Sequence, residues 1–148
     1  MSRRVSNMVS RVRSDKGKAA IVAPDLDALA RYVPDLKDWP ASWRFDNEDI
    51  PPGQAIVEVF TPFLQHLLAQ GYARKTLHRH RDNLWILGGH LIEVRYEDKH
   101  AAAMDASALV LSQIHEYGGP LITRHLSEDA QNSFDATCKK LYRFLCPA

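Results

Sequence analysis

The sequence predicts an all-α protein, a four- to five-helix bundle, and three observations carry this prediction. From residue 54 onward, apolar residues recur at intervals of three and four, the spacing that gives a helix one apolar face. The repeats stop at Gly71 and at the run from Gly118 to Pro120, and glycine and proline are residues that end helices. No segment keeps the alternation of apolar and polar residues that a strand requires.

The composition is that of one globular domain that needs no disulfide or metal to fold. The chain has 148 residues, of which 45% are hydrophobic and 25% are charged. Its two cysteines, Cys138 and Cys146, form no Cys-x-x-Cys pair, which favours a reducing compartment. Because no apolar run approaches the ~20 residues that span a bilayer, and no signal peptide is recognisable, we expect a cytoplasmic protein.

Charge is distributed unevenly behind a formal net charge of +1. Residues 1–20 carry six arginines and lysines against Asp15 alone, with serines between them, so we predict a flexible basic N-terminal tail. This tail is either a solvated extension or an arm that follows DNA. Residues 21–73 carry a net −5 and residues 74–95 a net +3. Any contact with nucleic acid should therefore be confined to one face and the tail.

The segment 21–53 is rich in proline and tryptophan and is predicted to pack on the core. Its prolines permit one short helix, around Asp25 to Tyr32, followed by extended segments. Trp39 and Trp43 are interpreted as packing anchors rather than as platforms for ligand stacking. The helical domain proper is predicted to occupy residues 54–148.

Within that domain the first two helices are joined by a tight turn. In the first, Pro62 either kinks the helix or starts its main segment behind a Thr61 cap. The second opens at Thr76 or just before it. Its paired Gly88 and Gly89 weaken this helix, and the close approach of another helix is the expected compensation.

The last two helices have recognisable capping residues. After a polar loop around Tyr96 to His100, Asp105 can cap a third helix that continues through Tyr117. Ser127 can cap the fourth, where acidic residues at the next two positions suit the positive end of the helix dipole.

The order of these elements resembles the core-binding, SAM-like N-terminal domain of tyrosine recombinases and phage integrases. The resemblance rests on an apolar helix, the run Gly-Tyr-Ala-Arg-Lys-Thr-Leu from Gly71 to Leu77, two further helices, and the run Cys-Lys-Lys-Leu-Tyr-Arg-Phe-Leu from Cys138 to Leu145. Ala73 stands where the family usually has serine, which leaves Thr76 as the polar capping residue. The resemblance implies an orthogonal bundle of the SAM-like core-binding type.

For function, the resemblance implies contact with double-stranded DNA. Carried over by position, the start of the second helix would meet the phosphate backbone through Arg74, Lys75, Thr76, Arg79 and Arg81. The free N–H groups of a helix start and the forked donors of arginine also suit phosphate oxygens independently of any resemblance. The alternative is a solvated basic helix end beside the acidic residues 46–58.

We expect no enzymatic activity and no cofactor. The family's catalytic half, with its arginines, lysine, histidine box and nucleophilic tyrosine, has no counterpart in this sequence. Residues 78–81 spell His-x-x-Arg, but they lie in the core-binding helix. His78 and His80 with His90 and Glu93 do not form a metal motif, because histidines two residues apart point to different helix faces.

Two functions from different classes remain open. The first is a non-catalytic DNA-binding module, acting alone or with a separately encoded recombinase or other protein partner. The second is a helical protein-interaction module with no nucleic-acid binding, for which the acidic residues 25–50 would supply the contact surface. Salt distinguishes the two, because phosphate contacts weaken steeply as salt rises whereas an apolar interface changes little.

Overall fold

A computed structural model of the chain describes residues 26–122 and 126–147. It confirms the all-α prediction: within those two ranges the chain forms helices and one isolated bridge, between His115 and Gly118. The helices are α1 (Leu26–Tyr32), α2 (Trp39–Trp43), α3 (Ile50–Ala69), α4 (Arg74–Glu97), α5 (Lys99–Ala102), α6 (Ala106–Gln113) and α7 (Glu128–Leu145), with 3-10 turns at Leu36–Asp38 and Asn47–Asp49. None of these helices is both long and apolar enough to cross a bilayer. The predicted flexible tail, residues 1–20, lies outside the described residues.

The described ranges contain seven helices, so the predicted number of four or five was too low. Helix α2 occupies part of the segment that was expected to be extended. Pro40 is compatible with it because proline stands in the first turn, where its missing N–H is not needed. Helices α4 and α5 replace most of the loop expected around residues 96–100. The Asp98 side chain accepts a hydrogen bond from the N–H of His100 and thereby caps α5.

Helix α3 begins before residue 54, where the helical domain was predicted to start. Pro51 and Pro52 occupy its first turn, where proline is tolerated. The helix then continues through Pro62. Thr61 caps no new segment, since its Oγ1 donates to the carbonyl of Val57 at 2.7 Å.

The core lies where α3, α4, α6 and α7 meet, and α1 and α2 pack against α3. Trp39 and Trp43 are 2% and 6% exposed, which confirms their interpretation as packing anchors. The largest fully buried side chains are Ile56, Phe60, Phe63, Leu64 and Leu67 of α3, Leu84, Leu87, Leu91 and Ile92 of α4, Leu109 of α6, and Phe134 and Leu141 of α7.

The paired glycines of α4 make room for the indole of Trp43. A Cβ built on Gly88 would lie 2.1 Å from an atom of this ring, whereas one on Gly89 would lie 3.4 Å away. The ring is held in place because Nε1 of Trp43 donates to the carbonyl of Trp85 at 3.0 Å. The predicted close approach of another helix is confirmed, because Trp43 belongs to α2. This approach requires a glycine at position 88.

Both predicted caps of the later helices are confirmed. Asp105 Oδ1 accepts from the N–H of Ala108 at 2.8 Å at the start of α6. Ser127 Oγ accepts from the N–H of Ala130 at 3.1 Å at the start of α7. Each side chain satisfies one of the N–H groups that a helix start leaves without an internal partner.

Helix α6 ends at Gln113, earlier than predicted. The chain then turns, and the backbone groups of His115 and Gly118 hydrogen-bond each other. Gly118 has a φ of +151°, a conformation that other residues rarely adopt. Tyr117 therefore belongs to this turn rather than to α6, and it is 75% exposed.

Candidate nucleic-acid interface

Helix α4 begins at Arg74, just after a turn in which Gly71 has a φ of +75°. Ala73 precedes the helix with an extended backbone, and no side chain caps this end. Thr76 lies inside the first turn, so the prediction that it caps α4 is wrong. The first N–H groups of α4 therefore keep their hydrogen-bonding capacity for an acceptor that no described side chain supplies.

Three of the five predicted contact residues are exposed: Arg74, Lys75 and Arg79. None of the three forms a hydrogen bond or ion pair with another part of the chain that the structure describes. Lys75 and Arg79 are four residues apart and so stand one turn apart on the same helix face. Thr76 is half-buried beside them. The structure thus leaves three cations at this helix start accessible to an anion.

Arg81 differs from these residues because it is bound within the protein. Its Nη1 donates to the carbonyl of Tyr32 at 3.1 Å, and its Nε donates to Asp82 Oδ1 at 3.0 Å. The Tyr32 hydroxyl donates to the carbonyl of Leu77 at 2.5 Å, and burial raises the pKa of this hydroxyl, which keeps it protonated. These bonds fasten the end of α1 to α4. Among the predicted contact residues, Arg81 has an internal role.

Helix α7 runs antiparallel to α4. His80 of α4 meets Thr137 of α7, and Asn83 meets Ser133, so rising residue numbers on one helix face falling numbers on the other. The start of α4 consequently lies beside the C-terminal half of α7. That half carries Lys139, Lys140 and Arg143, which the sequence pattern alone did not connect with α4.

Lys140 of α7 contacts the turn that precedes α4. Its Nζ donates to the Tyr72 hydroxyl at 3.2 Å and lies 5.2 Å from the centre of the Tyr72 ring. A groove of about 460 Å³ opens here, lined among others by His66, Tyr72, Lys140 and Arg143. We call the group formed by Arg74, Lys75, Arg79, Lys140 and Arg143 the basic surface.

The basic surface is built from stretches of sequence that contain no carboxylates. Neither residues 59–81 nor residues 136–148 include an aspartate or a glutamate. This absence marks both stretches as cationic in the sequence, although it does not show that they lie side by side. The nearest carboxylate along α4 is Asp82, three residues after Arg79, and it pairs with Arg81 at 3.0 Å.

A buried polar cluster fixes α4 against α7 behind this surface. Thr137 Oγ1 lies 2.7 Å from His80 Nδ1 and accepts from Asn83 Nδ2 at 2.9 Å. Burial lowers the pKa of His80, and the positive charges of Lys140 and Arg79 lower it further. His80 is therefore a neutral structural group that holds the two helices in register.

The described histidines and cysteines can be compared with what metal binding or nucleophilic chemistry requires. Among the residues that the structure describes, no group of three or more His, Cys, Asp or Glu side chains is placed to hold a metal ion. His90 Nε2 lies 3.0 Å from Gln113 Oε1 and so has a protein partner. Burial, together with Asp135, raises the pKa of the Cys138 thiol to about 12, which makes it a poor nucleophile near neutral pH.

Comparisons with known proteins do not assign the chain to a family. No family model matches it, and searches of curated proteins and of solved structures found no match. The basic surface is therefore interpreted from its own geometry and charge.

Proposed function

We propose that this chain is a non-catalytic DNA-binding module that clamps double-stranded DNA through the start of α4. The observation that carries the proposal is the exposure of Arg74, Lys75 and Arg79, without internal partners, at a helix start that no side chain caps. Free N–H groups, the positive end of the helix dipole and exposed cations all favour the same ligand, an anion.

The C-terminal half of α7 extends this surface, which favours a ligand with several phosphates rather than one. Lys140 and Arg143 lie on a second helix, so the cations are spread over two elements, which suits a duplex backbone with regularly spaced phosphates. Thr76 can add a hydroxyl donor from within the first turn of α4. Arg81 supports the interface by fastening α1 to the same helix.

The proposed module is similar to the core-binding domain of integrases and tyrosine recombinases. In this proposal the bundle is of the orthogonal SAM-like type, and the chain acts alone or with a separately encoded recombinase or other protein partner. The order of helices and the basic start of α4 support this similarity.

The proposal is tested by titrating a labelled random-sequence duplex with the protein at several salt concentrations. The logarithm of affinity should fall linearly with the logarithm of salt, with a slope of about 0.9 per phosphate contacted. Arg74→Ala combined with Lys75→Ala should reduce that slope by about 1.8. Lys37→Ala combined with Arg44→Ala is the matched control, because these two exposed cations lie outside the basic surface. It should leave the slope unchanged.

A chain that starts at Ala20, checked for helix content by circular dichroism, separates the bundle from the tail. Salt-sensitive binding that survives this truncation supports a site on the bundle. An unchanged slope in the Arg74 and Lys75 variant removes these residues from the interface. If the protein does not bind DNA at low salt, the proposal is wrong, and a helical protein-interaction module becomes the better interpretation.

A further inference from the structure

A group of exposed aromatic side chains lies outside the buried core. Phe45 is 56% exposed, Trp85 is 44% exposed and Tyr96 is 68% exposed. The rings of Phe45 and Tyr96 pack against each other with centroids 4.8 Å apart. Exposed aromatic patches of this kind mark interaction sites more often than chance positions on a surface.

Two of these rings, Phe45 and Trp85, line a groove of about 540 Å³, which we call the aromatic groove and define by Phe45, Trp85, Ile86, Leu121 and Leu126. Trp85 is held in a fixed orientation, because its Nε1 donates to Ser42 Oγ at 2.9 Å. A rigid, half-exposed indole can contribute apolar contact without losing much conformational freedom on binding.

Two of the three chain segments that line the aromatic groove are acidic, whereas residues 121–126 carry Arg124 and no carboxylate. In residues 42–49, Asp46, Glu48 and Asp49 stand against Arg44; in residues 89–98, Glu93, Glu97 and Asp98 stand against Arg95. An ion pair between these segments joins Arg95 to Asp49, with Nη1 and Oδ1 3.7 Å apart. Each of the two acidic segments has a net charge of −2 and residues 121–126 have +1, so the three segments together carry −3 and a nucleic acid is repelled here. The suitable occupant is both basic and apolar.

The N-terminal part of this chain has that chemistry. Val5, Met8, Val9 and Val12 follow the spacing i, i+3, i+4, i+7, which would place them on one face of a helix. The other positions of residues 3–13 include Arg3, Arg4, Arg11 and Arg13 and no acidic residue. We propose that residues 3–13 dock in the aromatic groove of the same molecule, with these apolar residues against the exposed rings and the arginines towards the acidic segments.

The connection between this segment and the groove is long enough. Arg81 bonds the end of α1, and Trp85 follows Arg81 by one helical turn, about 6 Å along the axis. Adding the length of the Arg81 side chain and of the seven-residue α1, about 10 Å, places Leu26 within roughly 25 to 30 Å of Trp85. Residues 14–25 span up to ~40 Å when extended. Attachment in the same chain also gives a high effective concentration, so modest contacts suffice.

Trp85 reports directly on this docking. The chain contains three tryptophans, and Trp39 and Trp43 are buried, so quenching of the fluorescence by acrylamide acts chiefly on Trp85. In the full chain, Met8→Asp combined with Val9→Asp places charge on the apolar face of the segment. We expect a rise in the acrylamide quenching constant and a red shift of the emission.

Ser6→Asp combined with Ser10→Asp is the matched control, because it removes the same net charge from positions off the apolar face. Because it keeps the apolar contacts and loses only charge, its quenching should rise much less than that of the Met8 and Val9 variant. A synthetic peptide of residues 1–16, added to the Met8 and Val9 variant, should restore protection of Trp85. Adding Trp85→Phe to each of these chains should remove the fluorescence that acrylamide quenches. This result would show that the signal comes from Trp85.

Equal quenching in the unchanged chain and both variants would overturn the proposal. Protection that increases with protein concentration would also overturn it, since the segment would then come from a second copy. No DNA is present in these measurements, so their outcome is independent of the proposed DNA binding.

Discussion

Replacing Gly88 with alanine is expected to destabilise the protein even though alanine is the better helix former. The new Cβ would lie 2.1, 2.3 and 2.7 Å from three atoms of the Trp43 ring, all closer than real Cβ contacts. The ring cannot move away freely, because it is buried and its Nε1 is bonded to the Trp85 carbonyl. Overpacking of this kind costs typically about 1 to 3 kcal/mol. We take the upper end, subtract the gain of about 1 kcal/mol in helix propensity, and expect a net loss of about 2 kcal/mol.

The neighbouring Gly89 supplies the control. Its Cβ would lie 3.4 Å from Trp43 Cδ1, which is ordinary van der Waals contact. Gly89→Ala should therefore keep the propensity gain and stabilise the protein by up to about 1 kcal/mol. The two variants add the same methyl group to the same helix, yet their free energies of unfolding should differ by about 3 kcal/mol, the sum of the two effects.

Urea unfolding followed by circular dichroism measures both values, with unchanged m-values showing that the stability itself has changed. Trp43→Phe provides a second check, because a smaller ring should make Gly88→Ala less costly than it is beside tryptophan. The reasoning would be refuted if Gly88→Ala were as stable as the unchanged chain, or if both alanine variants lost the same free energy of unfolding. In either case the close approach of Trp43 would not be the reason for a glycine at position 88.

Three further predictions follow from the described contacts. Arg143→Ala should lower the salt slope of DNA binding by about 0.9, whereas Arg31→Ala, an exposed arginine of α1, should not change it. Arg81→Ala should lower the free energy of unfolding by about 1 kcal/mol in urea titrations and leave that slope unchanged, because its hydrogen bonds are internal. Since burial lowers the pKa of His80 in the folded state, the unfolded chain binds this proton first, and stability should fall as pH drops below the ordinary histidine pKa of about 6.5. His80→Gln should flatten this dependence in thermal melts between about pH 8 and about pH 5, and His100→Gln, which changes an exposed histidine, should not.

The long helices could be predicted because their signals are local. The apolar stripes, the caps at Asp105 and Ser127, and the space required at Gly88 are each set by residues a few positions apart or by the missing side chain itself. The short helices α2 and α5 could not, because a turn or two of helix has little stability of its own. Packing of Trp39 and Trp43 on the core stabilises α2, and such packing is not visible in local spacing.

The candidate site, too, could be predicted only in part from the sequence. The cations at the start of α4 are contiguous in sequence, so their clustering could be predicted. The role of Arg81 could not, since its partner Tyr32 lies 49 residues away. The cations of α7 join the site through the antiparallel contact of His80 with Thr137, across 57 residues. Tertiary contacts of this range depend on the whole core and have no local signal.

Helix α4 connects the two proposed surfaces, because its start carries the basic surface and its second half carries the aromatic groove. Arg79 and Trp85 are six residues apart, about 9 Å along the helix axis, so one N-terminal segment can reach both. Residues 3–13 are basic enough to bind phosphates, and DNA would then compete with the groove for them. The two effects are thermodynamically linked. Docking of the segment lowers the affinity for DNA by some factor, and bound DNA must weaken docking by the same factor. The Met8 and Val9 variant and its serine control remove equal charge, but only the first releases the segment from the groove. The difference between their DNA affinities therefore measures this coupling.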